Sequence, residues 1–258
     1  MKTPLSYLCF LAAFLFNSKV SAQTIADQRF AVSSANYNES PNIIKTNMTA
    51  YLFRNINLSY ERIFTEKFST QISYSTIPNG SIPFSTSTLK IHNVEELSTA
   101  EMNYSSFTVE PRFYLNKKGY AHGFYLAPYY RYSHLEVSNL IFQYDADGVQ
   151  NTANLSGKVN GNSGGLALGI QWNLGQNQNW ILDFNMIGAH YGAASGDLVA
   201  VSSRPLTARE QQVLQDELNT LDVPFVKIKA QANANGATAQ ITGPWAGVRF
   251  GLSAGYRF

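Results

Sequence analysis

The chain has 258 residues and is rich in aromatics: 16 Phe, 15 Tyr and 3 Trp make up 13% of it, while Asp, Glu, Lys and Arg together supply 14%, against about 25% in an average globular domain. The formal net charge is +2 and the mean hydropathy is -0.17. These values exclude a helical membrane protein, a charge-rich disordered chain, a coiled coil and a nucleic-acid binder that needs a basic patch, so no nucleic-acid partner is expected.

Residues 1–22 read as a cleaved signal peptide. Lys2 supplies a short positive start, and Leu5 to Phe16 is an apolar stretch too short to span a bilayer as a helix. Val20-Ser21-Ala22 puts small residues before a cleavage site ahead of Gln23. The only cysteine, Cys9, lies inside the apolar stretch, not at the lipoprotein position, so the mature chain has no thiol and no disulfide. Removal of Lys2 and Lys19 leaves as many basic residues as the 17 acidic ones. Residues 23–41 are read as a periplasmic N-terminal segment and 42–258 as one domain.

No later apolar run approaches the length of a membrane helix. What recurs is period-two alternation, the weak per-segment signature of a transmembrane β-barrel. In chain order, Asn42 to Leu52 alternates Ile44, Thr46, Met48, Ala50 and Leu52 with Lys45, Asn47 and Thr49. Ile56, Leu58 and Tyr60 alternate with Asn57, Ser59 and Glu61. Phe68, Thr70, Ile72 and Tyr74 follow the same rule, as do Phe107 to Leu115, Phe124 to Tyr132, Leu166 to Leu174 and, less cleanly, Leu182 to Met186. The last strand has Phe250, Leu252, Ala254, Tyr256 and Phe258 on one face and Arg249, Gly251, Ser253, Gly255 and Arg257 on the other. Pro111 and Pro128 fall inside predicted strands and each predicts a bulge or a missing ladder bond.

The connections alternate too. Those at 65–67, 116–122 and 175–179 are short, whereas 78–102, 135–162 and 191–245 are long. Outer-membrane barrels have short periplasmic turns and long outer loops. The expected fold is therefore all-β: an eight-stranded antiparallel up-and-down transmembrane β-barrel with long extracellular loops. Ten strands would require the alternation at 225–241, with Asn235-Gly236 as its turn, to enter the membrane; the reading places it above. Thr207-Ala208-Arg209-Glu210 has capping-box spacing, Leu214, Leu218 and Leu221 share one face, and Pro224 ends the run, which predicts one short loop helix over 207–221. That helix either packs on its own loop or meets a partner.

Leu58-Ser59-Tyr60-Glu61-Arg62, Glu110-Pro111-Arg112-Phe113-Tyr114, Gly123-Phe124-Tyr125-Leu126-Ala127-Pro128-Tyr129 and the ending Gly251 to Phe258 together resemble a family of small outer-membrane barrels common in Bacteroidetes, a domain of unknown function. The resemblance covers most of 42–258 and implies an outer-membrane location and an eight-stranded barrel, but no activity. The barrel is also similar to the membrane half of OmpA-type proteins, and no peptidoglycan-binding domain is expected after the last strand. That strand looks like the signal read by the barrel-assembly machinery. Tyr256 and Phe258 match it, and Ser253 stands where a glycine is usual.

Eight strands leave an interior just wide enough for side chains to fill. Inward positions hold Glu61, Glu110, Arg112, Arg131, Asp183, Arg249 and Arg257, with Tyr114, Tyr125 and Tyr129. Charges there must be paired and hydrogen-bonded, so the expectation is a plug of ion pairs and tyrosine hydroxyls; a narrow ion channel or proton relay is the alternative use of the same residues. A diffusion porin needs about 16 strands. Asp183, His134, His190 and Ser133 could converge at the outer rim, as in hydrolases acting on lipid A or peptides, but no spacing ties them together and no catalytic residue is assigned. Four scattered histidines make no metal cluster. Asp145 to Gly148 lacks the further ligands of a calcium loop and reads as a turn, and Gly161 to Gly165 reads as flexible strand entry; no cofactor is expected. The functional expectation is a structural or interaction protein in the cell outer membrane. Its partners would be lipid and lipopolysaccharide, the assembly machinery and a protein at the outer loops.

Overall fold

A computed structural model describes residues 40–81, 100–116, 120–146, 149–220 and 224–258. The expected signal segment, most of the 78–102 connection, and Asp147 and Gly148 of the expected turn lie outside the described residues. Among the described residues the fold is mostly antiparallel sheet with one α-helix. In chain order the elements are β1 (Asn42–Asn47), β2 (Ile56–Thr65), β3 (Phe68–Ser81), β4 (Glu101–Tyr114), β5 (Gly123–Ala146), β6 (Val149–Leu174), β7 (Trp180–Ser202), α1 (Ala208–Thr220), β8 (Lys227–Asn233), β9 (Gly236–Pro244) and β10 (Gly247–Arg257).

Neighbours in sequence pair in order from β1 to β7, and β10 closes the set by pairing with both β7 and β1. Eight strands, β1 to β7 and β10, thus form a closed ring. The hairpin β8–β9 is not in that ring: besides β8, β9 pairs with the far part of β7, Ala193–Val201, while β10 takes the near part, Trp180–His190. The predicted hairpin at Asn235-Gly236 is present, and Gly236 adopts a positive φ of 135°. The short connections after β2, β4 and β6 all lie at the end where Phe258 exchanges backbone hydrogen bonds with Asn42.

Each ring strand sorts its residues by parity, and the sense is inverted relative to a sheet packed on an apolar core. On β2, Glu61 is 0% exposed while Leu58 is 56% exposed. Phe64, Phe113, Phe124, Trp180, Tyr256 and Phe258 face out towards the short-turn end, and Tyr74, Phe107, Tyr130, Tyr132 and Phe250 face out towards the other. Some of these touch rings on neighbouring strands: Phe113 meets the half-buried Phe68 with ring centres 5.2 Å apart, and Trp180 meets Tyr256 edge-on at 5.3 Å.

Three local expectations are corrected. First, β1 stops at Asn47 and does not run to Leu52. The Asn47 side-chain oxygen accepts from the Thr49 hydroxyl and the Ala50 amide, which turns the chain into a single 3-10 turn, Ala50–Phe53, closed by Arg54 at φ 57°. Second, 135–146, 149–162 and the first part of 191–245 are strand, not loop. Strands β5, β6 and β7 go on pairing past Leu135, Val159 and Gly196, with one register shift between Val137 and Leu140. Ser, Asn, Gly and Ala blur the apolar alternation there while the backbone ladder goes on. Third, Gly161 to Gly165 lies within β6 and supplies room rather than flexibility. A Cβ at Gly161 would lie 2.7 Å from the Trp245 ring, and one at Gly165 would lie 2.6 Å from the Tyr129 ring.

The prolines behave as predicted. The β4–β5 ladder is interrupted between Val109–Tyr130 and Phe113–Leu126, the stretch that contains both Pro111 and Pro128. The helix also forms as predicted. Glu210 accepts from the backbone and hydroxyl of Thr207, and the Glu210 amide donates back to the Thr207 hydroxyl, a closed capping box. Leu221 lies outside the described residues. The helix packs on its own loop: the Gln215 side chain donates to the Ala230 carbonyl at 3.2 Å and accepts from the Ala232 amide at 2.8 Å, along the outer edge of β8.

Two predictions follow from the helix cap and the close approaches in β6. Hydrogen bonds from Arg204, then from Thr207, hold the Glu210 carboxyl down from 4.5 to about 2. A lowered carboxylate pKa favours the folded helix only while the group is ionised. The cap is therefore expected at full strength above about pH 4.5 and lost as the pH falls towards 2. Amide exchange across 208–212, corrected for intrinsic rates, should rise over that range, and Glu210→Gln should abolish the pH dependence. A Cβ at Gly169 would lie 2.3 Å from the Tyr125 hydroxyl and 2.8 Å from the Phe184 carbonyl. Gly169→Ala is therefore expected to cost about 1–3 kcal/mol, read as a lower urea midpoint of the purified protein.

Candidate functional site

The inward parity of β1, β2, β4 and β7 brings four ionised side chains to one level inside the ring. Lys45 on β1 bonds Glu61 on β2 at 2.6 Å and Asp183 on β7 at 2.7 Å, and it donates to the Gln171 side-chain oxygen on β6 at 3.0 Å. Arg112 on β4 reaches Asp183 at 2.6 Å and Glu110 at 2.8 Å, with Glu61 at 3.6 Å. Arg249 on β10 pairs with the second oxygen of Glu110. Three cations thus neutralise three carboxylates, and each carboxylate touches two of the cations.

Tyrosines and small hydroxyls fill the remaining acceptor positions. Tyr125 donates to Asp183 at 2.8 Å, and Tyr114 donates to Glu61 at 2.7 Å. Ser69 also donates to Glu61. The Arg112 guanidinium lies 4.3 Å from the centre of the Tyr125 ring, and Tyr114 meets that ring edge-on at 5.7 Å. Lys45, Glu61, Glu110, Arg112 and Asp183 are all at most 3% exposed. A charge held there without its partner would cost several kcal/mol, so the pairing is what makes the burial tolerable.

The seven inward residues expected from parity separate into levels. Glu61, Glu110, Arg112, Asp183 and Arg249 form the bonded cluster. Arg257 is buried nearer the short-turn end, where it donates to the Tyr120 carbonyl at 3.3 Å. Arg131 lies towards the opposite end, donates to the Thr108 hydroxyl at 3.1 Å and faces Tyr129 at 6.0 Å. Lys45, Ser69 and Gln171 belong to the cluster but are absent from the expected set. Their signal was present, since all three sit at inward parity beside Thr46, Thr70 and Ile170. Tyr256 and Phe258 of the terminal strand face outward.

The rim candidates are not brought together. Asp183 has both oxygens engaged in the cluster. His134 bonds Asn160 at 2.8 Å, His190 bonds Tyr129 at 3.2 Å, and Ser133 is buried beside the Tyr104 hydroxyl. No hydrogen bond joins any two of Asp183, His134 and His190. Among the described residues no group of three His, Cys, Asp or Glu is arranged to hold a metal ion.

Lys45 is expected to be the most sensitive position of the cluster. Lys45→Met leaves Glu61 and Asp183 facing each other with less positive charge, and should cost about 3–5 kcal/mol. Adding Glu61→Gln should recover part of that loss by removing one of the stranded charges. Urea midpoints of the single and double variants check the order.

No curated protein and no solved structure matches the chain. A family model does match, over residues 29–203, and its description is "Protein of unknown function (DUF3575)". The matched stretch takes in β1 to β7, and so every cluster residue except Arg249. By that match the chain belongs to the DUF3575 family of proteins of unknown function.

Proposed function

We propose that this protein is an integral outer-membrane β-barrel with a structural or interaction role, its interior filled by side chains at the level of the charged cluster and its polar outer segments presented to the surroundings. The observation that carries the reading is the inverted polarity of the closed ring: Glu61, Glu110 and Arg112 inside at 0–1% exposure, with Leu58, Phe64, Phe124 and Phe250 outside at 51–68%. In water such an outward face would be a large apolar patch; against lipid it is the required surface. Closure supports the same reading, because a ring has no free strand edge to present to hydrocarbon. The outward aromatics fall into two groups towards the two strand ends, like interfacial girdles.

On this reading the short-turn end is periplasmic, and the α1 segment and the β8–β9 hairpin stand on the outer side. The partners are lipid and lipopolysaccharide around the ring, the assembly machinery at Tyr256 and Phe258, and a protein or surface glycan at the outer segments. The resemblance to small Bacteroidetes barrels agrees with it. The bonded cluster argues against a narrow ion channel, since a permeating ion would have to part Lys45 or Arg112 from Asp183. The separation of Asp183, His134 and His190 argues against a rim hydrolase.

Fractionation tests the location. The protein is expected in the outer-membrane fraction, with Gln23 as its first residue by mass spectrometry and faster gel migration before boiling than after. A soluble protein with one mobility would overturn the proposal. Planar-bilayer recording of the purified protein is expected to give no conductance steps.

A further inference from the structure

Above the charged cluster the ring holds a cavity of about 340 Å³, floored by Arg112 and Asp183 and walled by Arg131, Arg249 and a set of short neutral polar side chains that includes Asn57 and Ser75. Its charges do not balance. Arg112 and Asp183 bond each other, and Arg249 is taken by Glu110. Arg131 has no carboxylate within 4.0 Å among the described residues, and its bond to Thr108 is to a neutral oxygen. The cavity wall therefore carries one uncompensated guanidinium above a neutral floor.

That guanidinium is also held in place. Its Nε is tied to Thr108, and it shares the Tyr129 ring with Arg249, whose guanidinium lies 4.4 Å from the ring centre. Two planar donor forks are thus fixed against one aromatic ring at the side of a polar cavity. A fixed fork suits a carboxylate or phosphate, which can accept two bonds at once. The rest of the wall combines amide and hydroxyl groups, which suit the hydroxyls of a sugar or polyol, with the apolar Ala50, Phe53, Val248 and Phe250. The volume is at the small end of ligand pockets, about 300–1,000 Å³.

From this we infer that the cavity is a binding site for a small phosphorylated or carboxylated sugar, its anionic group on Arg131 beside Arg249 and its hydroxyls on the Asn57 and Ser75 side of the wall. The inference goes beyond the proposed membrane role and does not depend on it, because it needs only the interior of the ring. The sugar has two sources, a free sugar phosphate or the phosphorylated headgroup of a lipid.

The test is calorimetric titration of the purified full-length chain with glucose 6-phosphate, inorganic phosphate and glucose. Glucose 6-phosphate is expected to bind saturably, more tightly than phosphate, with glucose giving no heat. Arg131→Gln should weaken it by about tenfold or more, and Arg131→Lys should lie between. Ser75→Leu, which fills the cavity and leaves Arg131 in place, should also abolish binding, and it covers the case in which Arg131→Gln fails to fold. Lys229→Gln, on the hairpin, should change nothing. Displacement of glucose 6-phosphate by lipopolysaccharide, but not by phosphatidylcholine vesicles, assigns the lipid source; no displacement assigns the free sugar. No binding to the wild type, equal binding by folded Arg131→Gln, or glucose binding as tightly as glucose 6-phosphate overturns the site and leaves the outer-membrane proposal standing.

Discussion

Lys45 lies at the seam where the ring closes. It sits on β1, which joins β10 from the opposite end of the chain, and it binds carboxylates on β2 and β7. Those two carboxylates approach each other only when the seam is shut, and there they would repel without the ammonium between them. Closing the ring and neutralising its interior are therefore one event. Before closure Glu61 can keep Lys45 from its neighbouring strand, but Asp183 lacks Lys45, one of its two positive neighbours. A half-closed form would bury charge without its partners, the costliest arrangement available to these residues.

Much else in the ring follows from having to fit that cluster inside eight strands. The large Tyr125 and Tyr129 rings share the interior with the arginines, so the facing strand must give up side chains. Gly165 and Gly169 on β6 do this. Glu110 and Arg112 flank Pro111, in the stretch of the β4–β5 ladder that is interrupted. The cluster there supplies contacts between strands whose backbones are not tied directly. On the proposed membrane reading, the outward leucines and phenylalanines need only be apolar.

The parity of side chains made most of the ring legible in the sequence. A period of two has no intermediate phase, so Glu61, Glu110, Arg112 and Asp183 could be placed inside from their neighbours alone. The Thr207–Glu210 capping box was equally local and formed as read. What parity does not reveal is which inward residues meet. Lys45 was at the correct phase, but its partners are 16 and 138 residues away, and their meeting depends on ring closure. The long outer parts of β5, β6 and β7 were missed because apolar alternation reports an apolar neighbour on one side. Where Asn, Ser and Gly occupy both faces, as around Asn160 to Ser163, the backbone ladder leaves no mark in hydropathy. Asn47 ended β1 early through side-chain acceptors that compete with the next ladder bond.

Beyond the ring, the sheet formed by β5, β6, β7, β9 and β8 does have an end, and Gln215 occupies part of it. Its side-chain amide offers both a donor and an acceptor, and it answers the Ala230 carbonyl and Ala232 amide much as a neighbouring strand would. One uncharged side chain thus acts as a false last strand. It blocks the rung at which another chain would most readily begin to zip on. Edge-to-edge pairing of two such hairpins would first have to displace Gln215, and with it α1, from that rung.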